Sequence, residues 1–178
     1  MKKMNIAYIG NGKSTNRYHL PFVENLSDKI NVKTIYSRHI RDDWEPLAGV
    51  NYTTDINEIY NDPEIDLVVI TVPSQLHYPM AKEALTHHKN VLLEKPFASS
   101  EAETRELFEL AKENNVLLEA YQNRRFDSDF LTMQKVIASG KLGDILEVEA
   151  IFDYFRPEIP EKEKEFSLIK SFLYGHAS

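Results

Sequence analysis

The sequence contains no cysteine, which excludes disulfides, zinc–thiolate sites and thiol nucleophiles. It is also short of cations. Lys and Arg number 21 against 28 Asp and Glu, a formal net charge of −7. Such a chain has no basic field to gather a polyanion, so nucleic-acid binding by phosphate neutralisation is not expected. Long apolar runs are missing as well: none approaches the roughly 18–20 residues of a membrane helix. The apolar stretch after Met1-Lys2-Lys3 is shorter than the roughly 7–15-residue core of a signal peptide. A cytoplasmic location without membrane contact is the expectation. Glycine and proline are few, 6 and 8 of 178 residues, beside 42% apolar and 28% charged residues. That is the composition of a globular chain rather than a disordered or collagenous one. The length suits one domain, or one domain and part of another.

What is present alternates. Short apolar runs at 4–9, 31–36, 66–72, 90–93 and 116–120 read as strands, and Leu67-Val68-Val69-Ile70 is continuous, as in a strand buried on both faces. Helical spacing fills 74–88 and 100–114, the latter opened by a Ser100/Glu103 capping box. A third helix, 129–139, ends at Gly140. Residues 145–155 alternate apolar and polar, which predicts an antiparallel strand with one wet face. The βαβα series predicts an α/β fold, a doubly wound parallel sheet of Rossmann type, over 1–120. The change of strand pattern near Tyr121 marks 121–178 as the start of a second, α+β domain with an open, mostly antiparallel sheet. The stretch 158–165 reads as a solvated charged loop.

The first strand runs straight into Gly10-Asn11-Gly12-Lys13-Ser14-Thr15. One reading is a dinucleotide fingerprint, G-x-G-x-x-G/A. Its first glycine allows the tight turn, its second lets the backbone approach a pyrophosphate, and Thr15 stands poorly at the third position. A second reading is a Walker A loop starting at Ala7 and using Lys13 and Ser14. Tyr8 and Ile9 are still strand, so that loop would be too short, and no Asp follows Thr71-Val72-Pro73 to reach a magnesium ion. A third reading is a structural turn.

A NAD site wants an acid near the end of the second strand; an NADP site wants Arg. Here the chain reads Ser37-Arg38-His39-Ile40-Arg41, with no acid before Asp42. Ser37 and Arg38 suit a 2′-phosphate, so NADP(H) is preferred over NAD(H); the alternative is a solvated basic loop. The fourth long strand ends in Glu94-Lys95-Pro96. A lysine at the carboxyl end of a parallel strand, oriented by a nearby acid, can exchange a proton with a substrate hydroxyl or carbonyl, although a lone lysine at a strand tip is usually just solvated. No cluster has metal-ligand spacing.

Taken in order, Gly10-x-Gly12, Thr71-x-Pro73-x-x-x-His77 and Glu94-Lys95-Pro96 resemble the glucose–fructose oxidoreductase/inositol dehydrogenase/MocA (Gfo/Idh/MocA) family. Residues 12–21 and Tyr121-Gln122-Asn123-Arg124-Arg125-Phe126 are similar to its YhhX-type branch. The resemblance implies an NAD(P)-binding Rossmann domain over 1–120 and a substrate and oligomerisation domain beginning at 121. It implies an oxidoreductase passing hydride between nicotinamide and a hydroxyl or carbonyl carbon of a sugar, polyol or related small molecule, with a homo-oligomeric assembly. It makes Lys95 the catalytic lysine and places Glu94 beside the nicotinamide ribose. Gly10, Asn11, Gly12, Ser14 and Thr15 fall in the pyrophosphate loop, and Ser37 and Arg38 at the ribose phosphate. Thr71, Pro73 and His77 fall on the cleft wall; Gln122 and Asn123 lie near the nicotinamide, and Arg124 toward substrate. His77 also reads as a packed histidine, and Tyr18 and His19 as residues that pack or cap the first helix.

Family members run to about twice this length, and a Tyr-x-x-Gly-x-His-x-x-Asp segment is implied near the end. Setting Tyr174 on its Tyr puts the His one residue past Ser178. The expectation is therefore an N-terminal fragment, with a non-catalytic dinucleotide-binding module as the alternative function.

Overall fold

In the computed structural model, which describes residues 2–151 together with 155 and 157, the first strand explains the rest. In β1 (Met4–Ile9), Ala7 and Ile9 pack into one core, while Ile6 and Tyr8 pack into a second on the opposite face. A strand with both faces buried needs no polar alternation, which is why its apolar run is continuous.

The neighbours are all parallel: β2 (Ile30–Tyr36), β3 (Asn51–Thr53), β4 (Leu67–Ile70), β5 (Asn90–Leu93) and β6 (Leu118–Ala120). They lie in the order β3-β2-β1-β4-β5-β6, the doubly wound order of a dinucleotide-binding sheet. Ile9 sits opposite Tyr36 on β2 and Ile70 on β4, and Ile70 opposite Leu93 on β5. The strand tips are thus aligned along one edge. The order reverses between β1 and β4, and such a reversal opens a crevice at the carboxyl ends.

Helices cover both faces. A π-wound turn, Thr15–His19, leads into α1 (Leu20–Glu24), whose Leu20 joins Ile6, Tyr8, Ile35 and Val69. On the other face α3 (His77–Thr86), entered through a 3₁₀ turn at Ser74–Leu76, and α4 (Glu101–Glu113) bury Ala81, Leu85, Leu107 and Ala111 against β4 and β5. Each such leucine is worth roughly 1.5–3 kcal/mol of burial. Ser100 caps α4 as its sequence predicts: Ser100 Oγ accepts from Glu103 N, while Glu103 Oε2 accepts from Ser99 N rather than Ser100 N. A short α2 (Asn57–Tyr60) and β3 were not foreseen.

The chain divides between Tyr121 and Gln122 into two compact units. In the second, a 3₁₀ turn at Asn123–Phe126 precedes α5 (Ser128–Ala138), and Gly140 follows in the left-handed region at φ 68°. The strand expected over 145–155 is corrected: the described residues 145–151 form none. A strand exists only with a partner ladder, and the sheet's strands all belong to the first unit. Leu146 is accordingly 96% exposed. Residues 152–154, the charged stretch 158–165 and Tyr174 to Ser178 lie outside the described residues. Among the described residues no helix is long and apolar enough to cross a membrane.

Candidate functional site

The glycine turn is built by two threonines. Gly10 leaves β1 with φ 125°, and its amide donates to Tyr36 O on β2. A Cβ there would stand 2.6 Å from Thr71 Oγ1 and 2.9 Å from the Thr71 carbonyl carbon, so only glycine fits. The sheet forces this approach, because Thr71 continues β4 and donates its own amide to Ile9 O.

Thr15, the awkward residue of the fingerprint, is fully buried. Its hydroxyl donates to Gly10 O at 2.7 Å and meets Thr71 Oγ1 at 2.7 Å. A buried hydroxyl is tolerated when satisfied, and here it fastens the helix to the turn where a smaller residue would only pack. Thr71, expected on the cleft wall, turns its hydroxyl to Thr15, Ile9 O and Gly10 O. Asn11 is likewise buried, its Oδ1 accepting from Asn16 Nδ2.

Gly12 is the opposite case: a Cβ there would meet nothing within 4 Å. The protein's own packing does not demand this glycine, and the open face leaves room for a ligand to approach the backbone. The first helical bond of the segment is Asn16 N to Gly12 O, so the amides just before it have no intrahelical acceptor. An open cradle lined by such amides at the switch point fits a pyrophosphate. The triphosphate reading fails on the same geometry. Tyr8 and Ile9 are buried β1 residues, which leaves too few residues for a phosphate-wrapping loop.

At the tip of β2, Ser37 N donates to Thr53 O and Ser37 Oγ to His39 O. Arg38 is exposed and makes no hydrogen bond or ion pair among the described residues.

At the tip of β5, Glu94 gathers four elements. Its amide donates to Ile70 O on β4. Its Oε1 accepts from Ser14 Oγ at 2.7 Å and from His19 Nε2 at 2.9 Å, and its Oε2 accepts from Lys95 N at 3.2 Å. Burial pushes this carboxyl up, but the hydrogen bonds from His19 and Ser14, the His19 charge and the Lys95 amide outweigh it and hold Glu94 below the usual carboxylate range. An ionised carboxylate only accepts, so His19 Nε2 carries the proton in that contact.

His19 is itself 4% exposed. It meets Tyr8 edge-on at 5.7 Å and stacks on Tyr121 at 4.3 Å. Burial raises the Tyr8 and Tyr121 phenols. Lys95 is half-buried, and its Nζ makes no bond among the described residues.

His77 is a structural clamp. Only 2% exposed, it faces Pro96 O through Nδ1 at 2.6 Å and Val72 O through Nε2 at 2.9 Å. Both ring nitrogens face backbone carbonyls, so the ring joins the β4 and β5 turns. Pro73 is exposed between them. Gln122, Asn123 and Arg124 belong to the second unit, where Arg124 Nη1 pairs with Asp127 Oδ2 at 2.7 Å. Sequence reading missed His19 as a site residue, since its partner lies 75 positions away and no local pattern signals the pair.

An aligned row of parallel strand tips with a glycine cradle at the switch point and Glu-Lys two strands along defines a dinucleotide-binding domain of the oxidoreductase type. The family model described as "Oxidoreductase family, NAD-binding Rossmann fold" matches residues 4–122, and the chain belongs to that Gfo/Idh/MocA family. It is 49% identical over 156 residues to the uncharacterized oxidoreductase YhhX of Escherichia coli strain K12, covering 86% of this chain and 45% of that protein. It is 33% identical over 160 residues to scyllo-inositol 2-dehydrogenase (NADP(+)) IolW of Bacillus subtilis strain 168, covering 90% and 44%. The crystal structure of an oxidoreductase from Bacillus cereus superposes with a TM-score of 0.89 at 41% identity, covering 98% of this chain and 50% of that one. The chain spans about half the length of the relatives it matches.

Proposed function

We propose that the chain is the cofactor-binding part of an NADP(H)-preferring oxidoreductase that acts on a hydroxyl or carbonyl carbon of a sugar, polyol or similar small molecule. The observation that carries this reading is the Ser14–Glu94 hydrogen bond, which ties the glycine cradle to the Glu94-Lys95 turn. Binding and proton handling then sit on one rigid edge.

A bound nicotinamide supplies the hydride acceptor or donor. The loop amides before Asn16 and the open face of Gly12 hold the pyrophosphate. Lys95 Nζ, half-buried and not committed to another side chain among the described residues, takes or returns the proton of the substrate oxygen, a role worth roughly 10²–10⁴-fold in rate. Ser37 and the exposed Arg38 receive the 2′-phosphate; that IolW is an NADP(+) enzyme supports this choice. A non-catalytic dinucleotide module is the second reading, since the glycine cradle can bind a dinucleotide without Lys95 acting on a substrate.

The test is titration of the chain with NADPH, NADH and ATP–Mg²⁺, read by quenching of its single tryptophan, Trp44. A charge-assisted phosphate contact contributes roughly 1.5–3 kcal/mol, so NADPH is expected to bind at least about tenfold tighter than NADH. Arg38→Asp should reverse the order, Lys95→Met should leave both affinities in place, and ATP–Mg²⁺ should not compete. Equal affinities in the wild type would remove the NADP assignment. Turnover of a polyol panel separates the enzyme from the module.

A further inference from the structure

We infer that His19 is a positioning residue of the cofactor site, acting through Glu94 on the nicotinamide half of the dinucleotide. The inference rests on the dinucleotide reading above and goes beyond it. With the pyrophosphate over β1 and the adenosine toward β2, the topology leaves the other half of the ligand over the tips of β4 and β5. Glu94 stands at the β5 tip.

Its two oxygens differ. Oε1 is taken by two donors, Ser14 Oγ and His19 Nε2; among the described residues Oε2 receives only the adjacent Lys95 amide, at 3.2 Å. A carboxylate oxygen has room for two donors, so Oε2 keeps capacity for a ribose hydroxyl. Ser14 and His19 together hold Oε1, and of the two His19 is the donor held by ring contacts on two sides. Its ring cannot swing, because Tyr8 meets it edge-on and Tyr121 covers its face.

Tyr121 is held in turn: its amide donates to Leu93 O, the residue before Glu94, and its hydroxyl reaches Tyr18 O. The ring of His19 is therefore seated by three elements, β1, the first helical segment and the exit of β6, and delivers one N–H to one carboxylate oxygen. A buried carboxylate held by a buried ring N–H is also costly beside apolar packing.

The experiment compares binding of NADPH with binding of ADP 2′-phosphate, which is the same ligand cut after the pyrophosphate. His19→Phe keeps an aromatic ring between Tyr8 and Tyr121 and removes the donor; His19→Gln restores an N–H at the position of Nε2. His19→Phe is expected to weaken NADPH by roughly tenfold or more, the loss of one charge-assisted hydrogen bond. It should leave ADP 2′-phosphate unchanged, and His19→Gln should recover most of the NADPH affinity. Unchanged NADPH affinity, or an equal loss of both ligands, would overturn the inference, since a merely structural histidine weakens the whole site alike. Should His19→Phe not fold, His19→Asn, whose shorter amide withdraws the N–H from Glu94, carries the same test: selective loss of NADPH supports the arrangement and equal loss refutes it. A wild-type chain that binds neither NADPH nor NADH would overturn the dinucleotide reading itself. A wild-type chain that binds both, beside unselective variants, would overturn only the role of His19.

Discussion

The two edges of the one parallel sheet are built differently. At the amino edge the charges answer one another. Lys33 Nζ pairs with Asp62 at 2.7 Å and with Glu64, Lys2 approaches Asp66 at 3.6 Å, and the Asn5 amide donates to Asp66 Oδ2. Lys89, 7% exposed, donates to Asp62 O, and burial lowers its ammonium despite the opposing pull of Asp62 and Asp66. At the carboxyl edge Gly12 faces open space, and Arg38 and Lys95 make no bond among the described residues. An edge whose charges pair among themselves as these do serves stability. An edge that leaves a cradle and two cations uncommitted among the described residues has room for a ligand, and the proposed dinucleotide site lies there, at the switch point.

Substitutions at the two glycines separate stability from binding most sharply. Gly10→Ala places a methyl against Thr71 at a positive φ. It should destabilise the fold by roughly 2–5 kcal/mol, read as a shift in denaturant midpoint. Gly12→Ala meets no atom, so stability should hold within about 0.5 kcal/mol while dinucleotide affinity falls. At the other edge, Lys89→Met leaves Asp62 O without its donor. A cost of about 1–3 kcal/mol in stability with cofactor affinity intact is expected; lost affinity would erase the distinction between the edges.

The smallest effect is in acid. Asp62, pushed up by burial but brought below its ordinary value by Lys33 and the Glu64 amide, and Glu94, brought down by His19 and Ser14, both have depressed folded-state values. Their stability is fully present above the ordinary carboxyl range near about 4 and is lost as pH falls through the lower folded values. Denaturant midpoints followed from pH 6 downward should decline there, and the decline should be shallower in Asp62→Asn and in Glu94→Gln.

Much of this was legible in the chain. β1 and β5 fall where their apolar runs place them, and Ser100 caps α4, because continuous burial and capping are local signals. β3 and α2, three and four residues long, are too short to show a period. Residues 145–151 alternate like a strand, yet alternation is only half of strand formation; the partner ladder is the other half. In the site, Gly10, Gly12, Glu94 and Lys95 stood out by motif. Thr15 looked wrong until the structure brought Thr71 and Gly10 O to its hydroxyl. His77 carried two readings, and the one it took was set by Pro96 O, 19 residues on. The His19–Glu94 pair was invisible because contacts across 75 residues leave no spacing to read.

The most direct measurement is amide chemical-shift mapping of the labelled chain during titration with NADPH. The expected result is perturbation concentrated at residues 10–15, at Ser37 and Arg38, and at Glu94 and Lys95, with the amino edge around Lys33, Asp62 and Lys89 silent. Perturbation centred on the amino edge, or no perturbation at saturating NADPH, would contradict the assignment of the carboxyl edge as the dinucleotide site.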